Sequence, residues 1–245
     1  MTEQFFQEAG IGTGQRVLDV GSGVGDVAMI AARLVGPSGE VVAIERDGRT
    51  VRRARERAKD AGIRNIHFAQ IDIDDFVSDT LFDAVVGRYI LQFMTDPVAV
   101  LSSLAACLRP GGVVAFQEGS WLPFIALSWH LPLYSACVSL LHEAGARSGV
   151  KLELGPALHK VYVDAGLPAP DMRLEMKLGC EPGYTRLLSD AIRSVLPHIK
   201  EHGLPLDAIG ELETLQQRLQ DEVAHSNTVV PWIALVGAWS RTPAA

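Results

Sequence analysis

Three glycines alternate with small residues in the run Leu18-Asp19-Val20-Gly21-Ser22-Gly23-Val24-Gly25-Asp26. Glycines let a backbone turn sharply and let a ligand come close to the main chain. A helix opening after such a turn adds free N–H groups and a positive dipole end, which suit a carboxylate or a phosphate. Asp19 and Asp26 put negative charge on either side of the turn. A dinucleotide fingerprint needs small residues at 21, 23 and 26, and Asp26 would repel a pyrophosphate there. A cationic ligand meets no such objection. Asp26 also reads as a helix-start carboxylate favoured by the dipole alone.

Two further acids stand at the ends of apolar runs. Glu45 closes EVVAIE, where a carboxylate can accept both hydroxyls of a ribose. The plainer reading is a surface glutamate paired with Arg46 or Arg49. Asp72 follows IHFAQI and can accept from an exocyclic amine, with Ile73 against a purine face. Asp74 and Asp75 adjoin it, so Asp72 can equally cap a turn. Together the three loops offer places for an amino-acid end, a ribose and an adenine.

The elements that would position these residues alternate. Strands are predicted at 16–20, 40–45, 66–71, 82–87 and 113–118, and helices at 26–35, 48–61 and 96–108. Asp96-Pro97 is an N-cap followed by proline at the first helical position, and Pro110-Gly111-Gly112 reads as a turn. Such alternation means βαβ crossovers and a mainly parallel sheet, an α/β fold with ligands at the carboxyl ends of the strands. The last third changes character. Aromatics and prolines open 119–147, a helix is predicted at 156–165, and a strand at 172–180. Two helices over 184–225 are parted by Gly203-Leu204-Pro205, and a final strand covers 229–239, with Pro231 best at its start or on an edge. No linker interrupts the chain. Residues 1–245 are therefore expected to form a single domain with a binding core over about 14–118. Acceptor-side helical insertions at about 119–147 and 184–226 would form a lid.

Of the 245 residues, 48% are hydrophobic and 21% charged, a globular composition. The 22 basic and 29 acidic side chains leave a net charge of -7, which argues against a nucleic-acid surface. The basic run from Arg46 to Lys59 falls on a predicted helix and reads as a solvated face. Cys107, Cys137 and Cys180 are far apart and indicate neither a metal site nor a disulfide framework. No signal pattern or long apolar run stands out, so a cytoplasmic protein without membrane contact is expected.

VLDVGSGVGD, the terminal Glu45, the Asp72-Ile73 pair, FDAVVGRYILQF and LRPGGVVAFQE resemble the motifs of class I S-adenosylmethionine-dependent methyltransferases over roughly residues 14–118. The resemblance implies a Rossmann-like, seven-stranded, mostly parallel sheet with helices on both faces and the last strand antiparallel. It implies S-adenosylmethionine as cofactor and S-adenosylhomocysteine as product. Gly21, Ser22, Gly23 and Gly25, with Asp19, would surround the methionine part. Glu45, with its neighbour Arg46, would serve the ribose, and Asp72 with Ile73 the adenine. Arg88 matches a position that usually lines the sulfonium region. Family members usually carry helices before the first strand. Here about a dozen residues precede it, with Phe5 and Phe6 as the only aromatic cover. A partner or the 184–225 insertion would then close the pocket. No Asn/Asp-Pro-Pro-Tyr motif follows the fourth strand, which argues against the common amino methylation.

Methyl transfer from a sulfonium is an in-line displacement onto an O, N or C atom, so alignment matters most and a base only for a protonated acceptor. Candidates for that role are Arg88, Tyr89, Glu118, His130, Tyr134 and His142, with His130 and Tyr89 taken as the catalytic pair. Trp121, Phe124 and Trp129 around His130 suit an apolar wall for a small-molecule acceptor. His130 reads there either as orienting or deprotonating the acceptor or as a histidine that only packs or caps. The stripe Ile192, Val195, Leu196, Ile199 is helix core or the contact of a homodimer. Two other readings stay open: an enzyme that uses the bound cation for a rearrangement or cyclisation, and a non-catalytic cofactor-binding or regulatory protein.

Overall fold

Helix α1 (Thr2–Glu8) leads into β1 (Arg16–Val20), α2 (Asp26–Val35), β2 (Glu40–Glu45), α3 (Gly48–Asp60), β3 (Ile66–Gln70), β4 (Phe82–Arg88), α4 (Pro97–Ala105) and β5 (Leu108–Ser120) in the computed structural model, which describes residues 1–244. Then come α5 (Leu122–Ser128), α6 (Pro132–Arg147), α7 (Leu154–Asp164), β6 (Asp171–Glu175) and β7 (Leu178–Gly179). The chain ends with α8 (Pro182–Glu201), α9 (Leu215–His225), β8 (Val230–Pro231) and β9 (Ala234–Arg241).

Seven strands form one sheet in the order β3-β2-β1-β4-β5-β9-β6. The sheet is mostly parallel, its last strand is antiparallel, and helices pack around it. The central strands are mostly apolar because both faces are covered. Val17, Leu18, Val20, Ala84, Val85 and Val86 are all fully buried. Each of these valines and the leucine contributes about 1.5–3 kcal/mol on burial. In register, β1 sits between β2 (Val17↔Val41) and β4 (Val17↔Ala84). Strand order reverses at β1, so the crevice of this sheet opens beyond the carboxyl ends of β1 and β4.

Two compact units divide the chain. One comprises residues 1–118, 156–173 and those from 236 on; the other comprises 119–155 and 174–235. The insertions expected at 119–147 and 184–226 fall in the second unit. Its core gathers Phe124, Leu131, Tyr134, Leu188, Ile192 and Leu219, and the Tyr134 hydroxyl donates to the Pro231 carbonyl at 2.8 Å. Ile192 and Ile199 are fully buried in that core, with Val195 packed beside them, so most of the α8 stripe is helix core.

Several elements differ from expectation. A seven-residue helix, α1, precedes the first strand. Its Phe5 and Phe6 are fully buried in the core of the first unit rather than lying over a ligand. Phe5 meets Trp239 edge-on at 5.4 Å, and a Cβ on Gly237 would lie 2.5 Å from its ring. Pro110-Gly111-Gly112 is not a turn before β5 but an irregularity within it, between the pairs Phe82↔Leu108 and Ala84↔Val113. The strand expected over 172–180 splits into β6 and β7, because the chain leaves the large sheet to form a two-stranded antiparallel ladder with β8. The strand expected over 229–239 breaks after Pro231, which has no N–H to extend a ladder. No helix of the described residues is long and apolar enough to cross a membrane.

Candidate functional site

The turn after β1 depends on left-handed backbone. Gly21, Gly23 and Gly25 have φ of 64°, 52° and 88°. A Cβ at Gly21 would lie 2.4 Å from Ile90 Cδ1, whereas one at Gly23 would meet nothing within 4 Å. Gly21 is therefore required by its neighbour, and Gly23 leaves open space over its main chain. The turn is tied down by bonds from Ser22 N–H to the Ile44 carbonyl and from Gly25 N–H to the Ser22 carbonyl, both 2.9 Å. Arg57 of α3 holds the turn from outside, donating to the Val24 carbonyl and to Asp26 Oδ1, each at 2.7 Å. That ion pair turns Asp26 Oδ1 toward Arg57.

One cavity of about 270 Å³ opens at the strand ends. Gly21, Glu45, Arg46, Asp72, Ile73 and Tyr89 all line it. Thus loops after β1, β2, β3 and β4 meet where the reversal of strand order puts the crevice. Glu45 is not paired with Arg46 or Arg49. Its Oε2 accepts from Gly23 N–H at 3.2 Å and its Oε1 from Asp47 N–H at 3.0 Å, while Arg49 faces Asp47. Asp72 caps a turn and also lines the cavity. Its Oδ1 accepts from Asp74 N–H at 3.4 Å and caps the short turn Ile73–Asp75, and its side chain still borders the cavity.

Asp19, Ser22, Gly23, Gly25 and Arg88 are not among the lining residues. Asp19 is buried beneath the turn, and its Oδ2 has no hydrogen-bond partner. Burial pushes its carboxyl up to about 8, against the opposing pull of the Arg88 guanidinium. The buried Ser22 Oγ is also without a partner. Arg88 donates to Thr2 Oγ1 at 3.1 Å and reaches toward α1.

Tyr89 carries a left-handed φ of 57°, unusual for a bulky residue. Burial raises its phenol to about 12, with Glu118 adding to the effect and Arg88 opposing it, so it is a hydrogen-bond donor at neutral pH and not a base. Glu118 ends the first segment of the first unit, fully buried. Its Oε1 accepts from the N–H groups of Ile90 (3.0 Å) and Leu91 (2.8 Å), and burial raises its carboxyl to about 7.

His130 belongs to the second unit, exposed, with Nε2 3.3 Å from Thr228 Oγ1. Tyr134 and His142 are in the same unit, the latter with its ring 5.9 Å from Trp121. Tyr89 lines the cavity of the first unit, and His130 lies in the second. Sequence reasoning missed the cavity's aliphatic and aromatic walls, Ile44, Ile71, Ile90, Phe93 and Met94. The apolar stretch Ile90–Met94 directly after β4 was the available clue. Among the described residues no group of three His, Cys, Asp or Glu could hold a metal ion.

Residues 11–150 match a family model described as a methyltransferase domain. The ubiquinone/menaquinone biosynthesis C-methyltransferase UbiE of Coxiella burnetii is 38% identical over 110 residues, 44% of this chain and 44% of that protein. The chain thus spans less than half the length of such curated relatives. Among solved structures, the YcgJ protein of Bacillus subtilis superposes with a TM-score of 0.64 at 14% identity, over 100% of this chain and 98% of that one. The phosphoethanolamine N-methyltransferase 2 of Haemonchus contortus, in complex with phosphomonomethylethanolamine and S-adenosylhomocysteine, gives 0.59 at 17% identity, over 99% of this chain and 52% of that one. At these identities the two structures speak for the fold.

Proposed function

Because the chain belongs to the class I S-adenosylmethionine-dependent methyltransferases, we propose that its cavity holds S-adenosylmethionine for methyl transfer to a small-molecule acceptor. The observation that carries this pose is that Gly21, Glu45, Asp72 and Ile73, from three separate loops, line one cavity.

The residues present fit such a ligand. Gly23 leaves its main chain open, and Asp19 and Ser22 keep buried oxygens without partners beneath the turn. The acids around the turn favour a cation, and the walls Ile44, Ile71 and Ile73 favour a flat apolar ring. In this reading Gly21 to Gly25 take the amino-acid end, with Asp19 as charge beneath them. Glu45 and Arg46 take the ribose, and Asp72 and Ile73 the adenine. Arg88 acts on this region through Asp19, whose carboxyl it pulls down. S-adenosylmethionine, when bound, supplies a methyl group already activated by its sulfonium. The chain then has to orient and to exclude water. Tyr89, protonated and at the cavity wall, donates a hydrogen bond that orients the acceptor. His130 is retained as the residue that orients or deprotonates an acceptor needing a base.

The net charge of -7 favours a small acceptor over a nucleic acid. UbiE relatives are named for carbon methylation in ubiquinone and menaquinone biosynthesis, so a carbon acceptor joins oxygen and nitrogen acceptors in the screen. The three free cysteines suit a cytoplasmic site of action. Exposed Leu122, Leu127 and Trp129 on the second unit offer apolar surface for a homodimer.

The test is titration calorimetry with S-adenosylhomocysteine on folded protein, followed by mass spectrometry of acceptors incubated with S-adenosylmethionine. Saturable heat and the gain of one methyl are expected. No heat with either nucleoside removes the assignment.

A further inference from the structure

Tyr89, Ile90, Phe93 and Met94 make one continuous wall of the cavity. Nothing in their own sequence explains why that wall stands where it does. Phe93 is 57% exposed, and Tyr89 holds a conformation that side chains with a Cβ avoid. Tyr89 N–H still belongs to the sheet, donating to the Gln117 carbonyl at 2.9 Å. One residue later the chain leaves β4, and the next two amides, those of Ile90 and Leu91, would be orphaned. Glu118, beside Gln117 on β5, takes both on Oε1 at 3.0 and 2.8 Å. A carboxyl group in a fully buried position is costly unless donors hold it, and here only Oε1 is held, Oε2 having no partner. Amide dipoles at the start of the three-residue turn Leu91–Phe93 supply them.

We propose that Glu118 is a positioning residue for ligand binding, its buried carboxylate fixing the wall from Tyr89 to Met94 against the cavity. Glu118 does not line the cavity itself, so it acts through that segment and not on a ligand. The proposal rests on the cofactor reading above.

Glu118→Ala removes the one oxygen that accepts both bonds, and Glu118→Gln keeps an amide oxygen that can take both. Calorimetry with S-adenosylhomocysteine is expected to show Kd raised about tenfold or more in the alanine variant. The glutamine variant should stay within about threefold of the unaltered protein. A purely structural role would lower the unfolding temperature and leave Kd where it was. In a Tyr89→Gly background, where the left-handed turn costs nothing, the loss caused by Glu118→Ala should shrink. An alanine variant that binds like the unaltered protein overturns the proposal, and so does a glutamine variant as weak as alanine. Failure of the unaltered protein to bind sinks the cofactor reading instead. Should Glu118→Ala not fold, amide hydrogen exchange on the ligand-free native chain decides. Protection of Ile90 and Leu91 equal to that of β4 supports the proposal, and loop-like exchange there overturns it.

Discussion

The Gly23 amide donates to Glu45 Oε2 at 3.2 Å, joining the glycine turn after β1 to the last residue of β2. Glu45 therefore keeps its carboxylate at the cavity without help from any arginine. A ligand hydroxyl reaching Glu45 shares an oxygen already oriented by backbone. Glu45→Ala should raise Kd for S-adenosylhomocysteine about tenfold or more while moving the unfolding temperature by only a few degrees. Calorimetry and thermal unfolding on the same preparation check this. Equal affinity in a folded variant discards the ribose assignment and leaves the ligand untouched.

Gly21 and Gly23 separate stability from affinity. Both are left-handed, so alanine at either costs roughly 1–2 kcal/mol in backbone terms. Only at Gly21 does the new Cβ also strike Ile90, which adds about 1–3 kcal/mol of overpacking. Urea unfolding should rank Gly21→Ala well below Gly23→Ala. Gly23→Ala should remain folded yet bind the nucleoside poorly, since its methyl fills space left open above the turn.

Two buried acids set a pH dependence of stability. Burial raises Asp19 from 3.8 to about 8 and Glu118 from 4.5 to about 7. With folded values above unfolded ones, the native state binds the extra protons. Their contribution is full below about pH 4 and is lost as pH rises through 7 for Glu118 and 8 for Asp19. Ligand-free protein should lose stability over that window in urea titrations. Asp19→Asn should flatten the upper part of the curve, and Glu118→Gln the part below pH 7. A wild-type curve that rises between pH 5 and 8 contradicts this.

The same Asp19 links ligand binding to protons. At pH 7 its carboxyl is mostly protonated in the free protein. A cation settling above it favours the ionised form, so binding should release a proton. Calorimetry in buffers of different ionisation enthalpy measures that release directly, and Asp19→Asn should abolish it.

Tyr89 and His130 call for separate expectations. Tyr89→Phe removes only a hydroxyl from the cavity wall and should leave Kd for S-adenosylhomocysteine within about twofold while lowering turnover. His130→Ala, in the second unit, should leave that Kd unchanged. Turnover also unchanged in His130→Ala removes the histidine from the mechanism.

The core of the sheet was readable because strands buried on both faces show as mostly apolar runs, as at Val17–Val20, interrupted only by Asp19, and Ala84–Val86. Glu45 and Asp72 were readable because strand ends are marked in sequence and the crevice follows from topology. The direction of a side chain was not. Arg88 turns to Thr2, and Asp26 to Arg57, through partners 86 and 31 positions away. Period-two alternation over 172–180 and the apolar run over 229–239 likewise cannot tell one sheet from two, and they hid the passage from β6 to β7 and from β8 to β9. Helix α1 escaped notice because no side chain caps it and burial of Phe5 and Phe6 does most to hold it.

Arg57 grips the outer side of the glycine turn through both Val24 and Asp26. With Ser22 and Gly25 anchored as well, the chain's own hydrogen bonds specify the form of the receptacle. Little ordering entropy then remains to be lost on association, which favours fast capture with a modest heat signature. Loosening that outer clasp at Arg57 should slow arrival and leave the departure rate nearly as it was, the kinetic mark of a turn that must first find its shape.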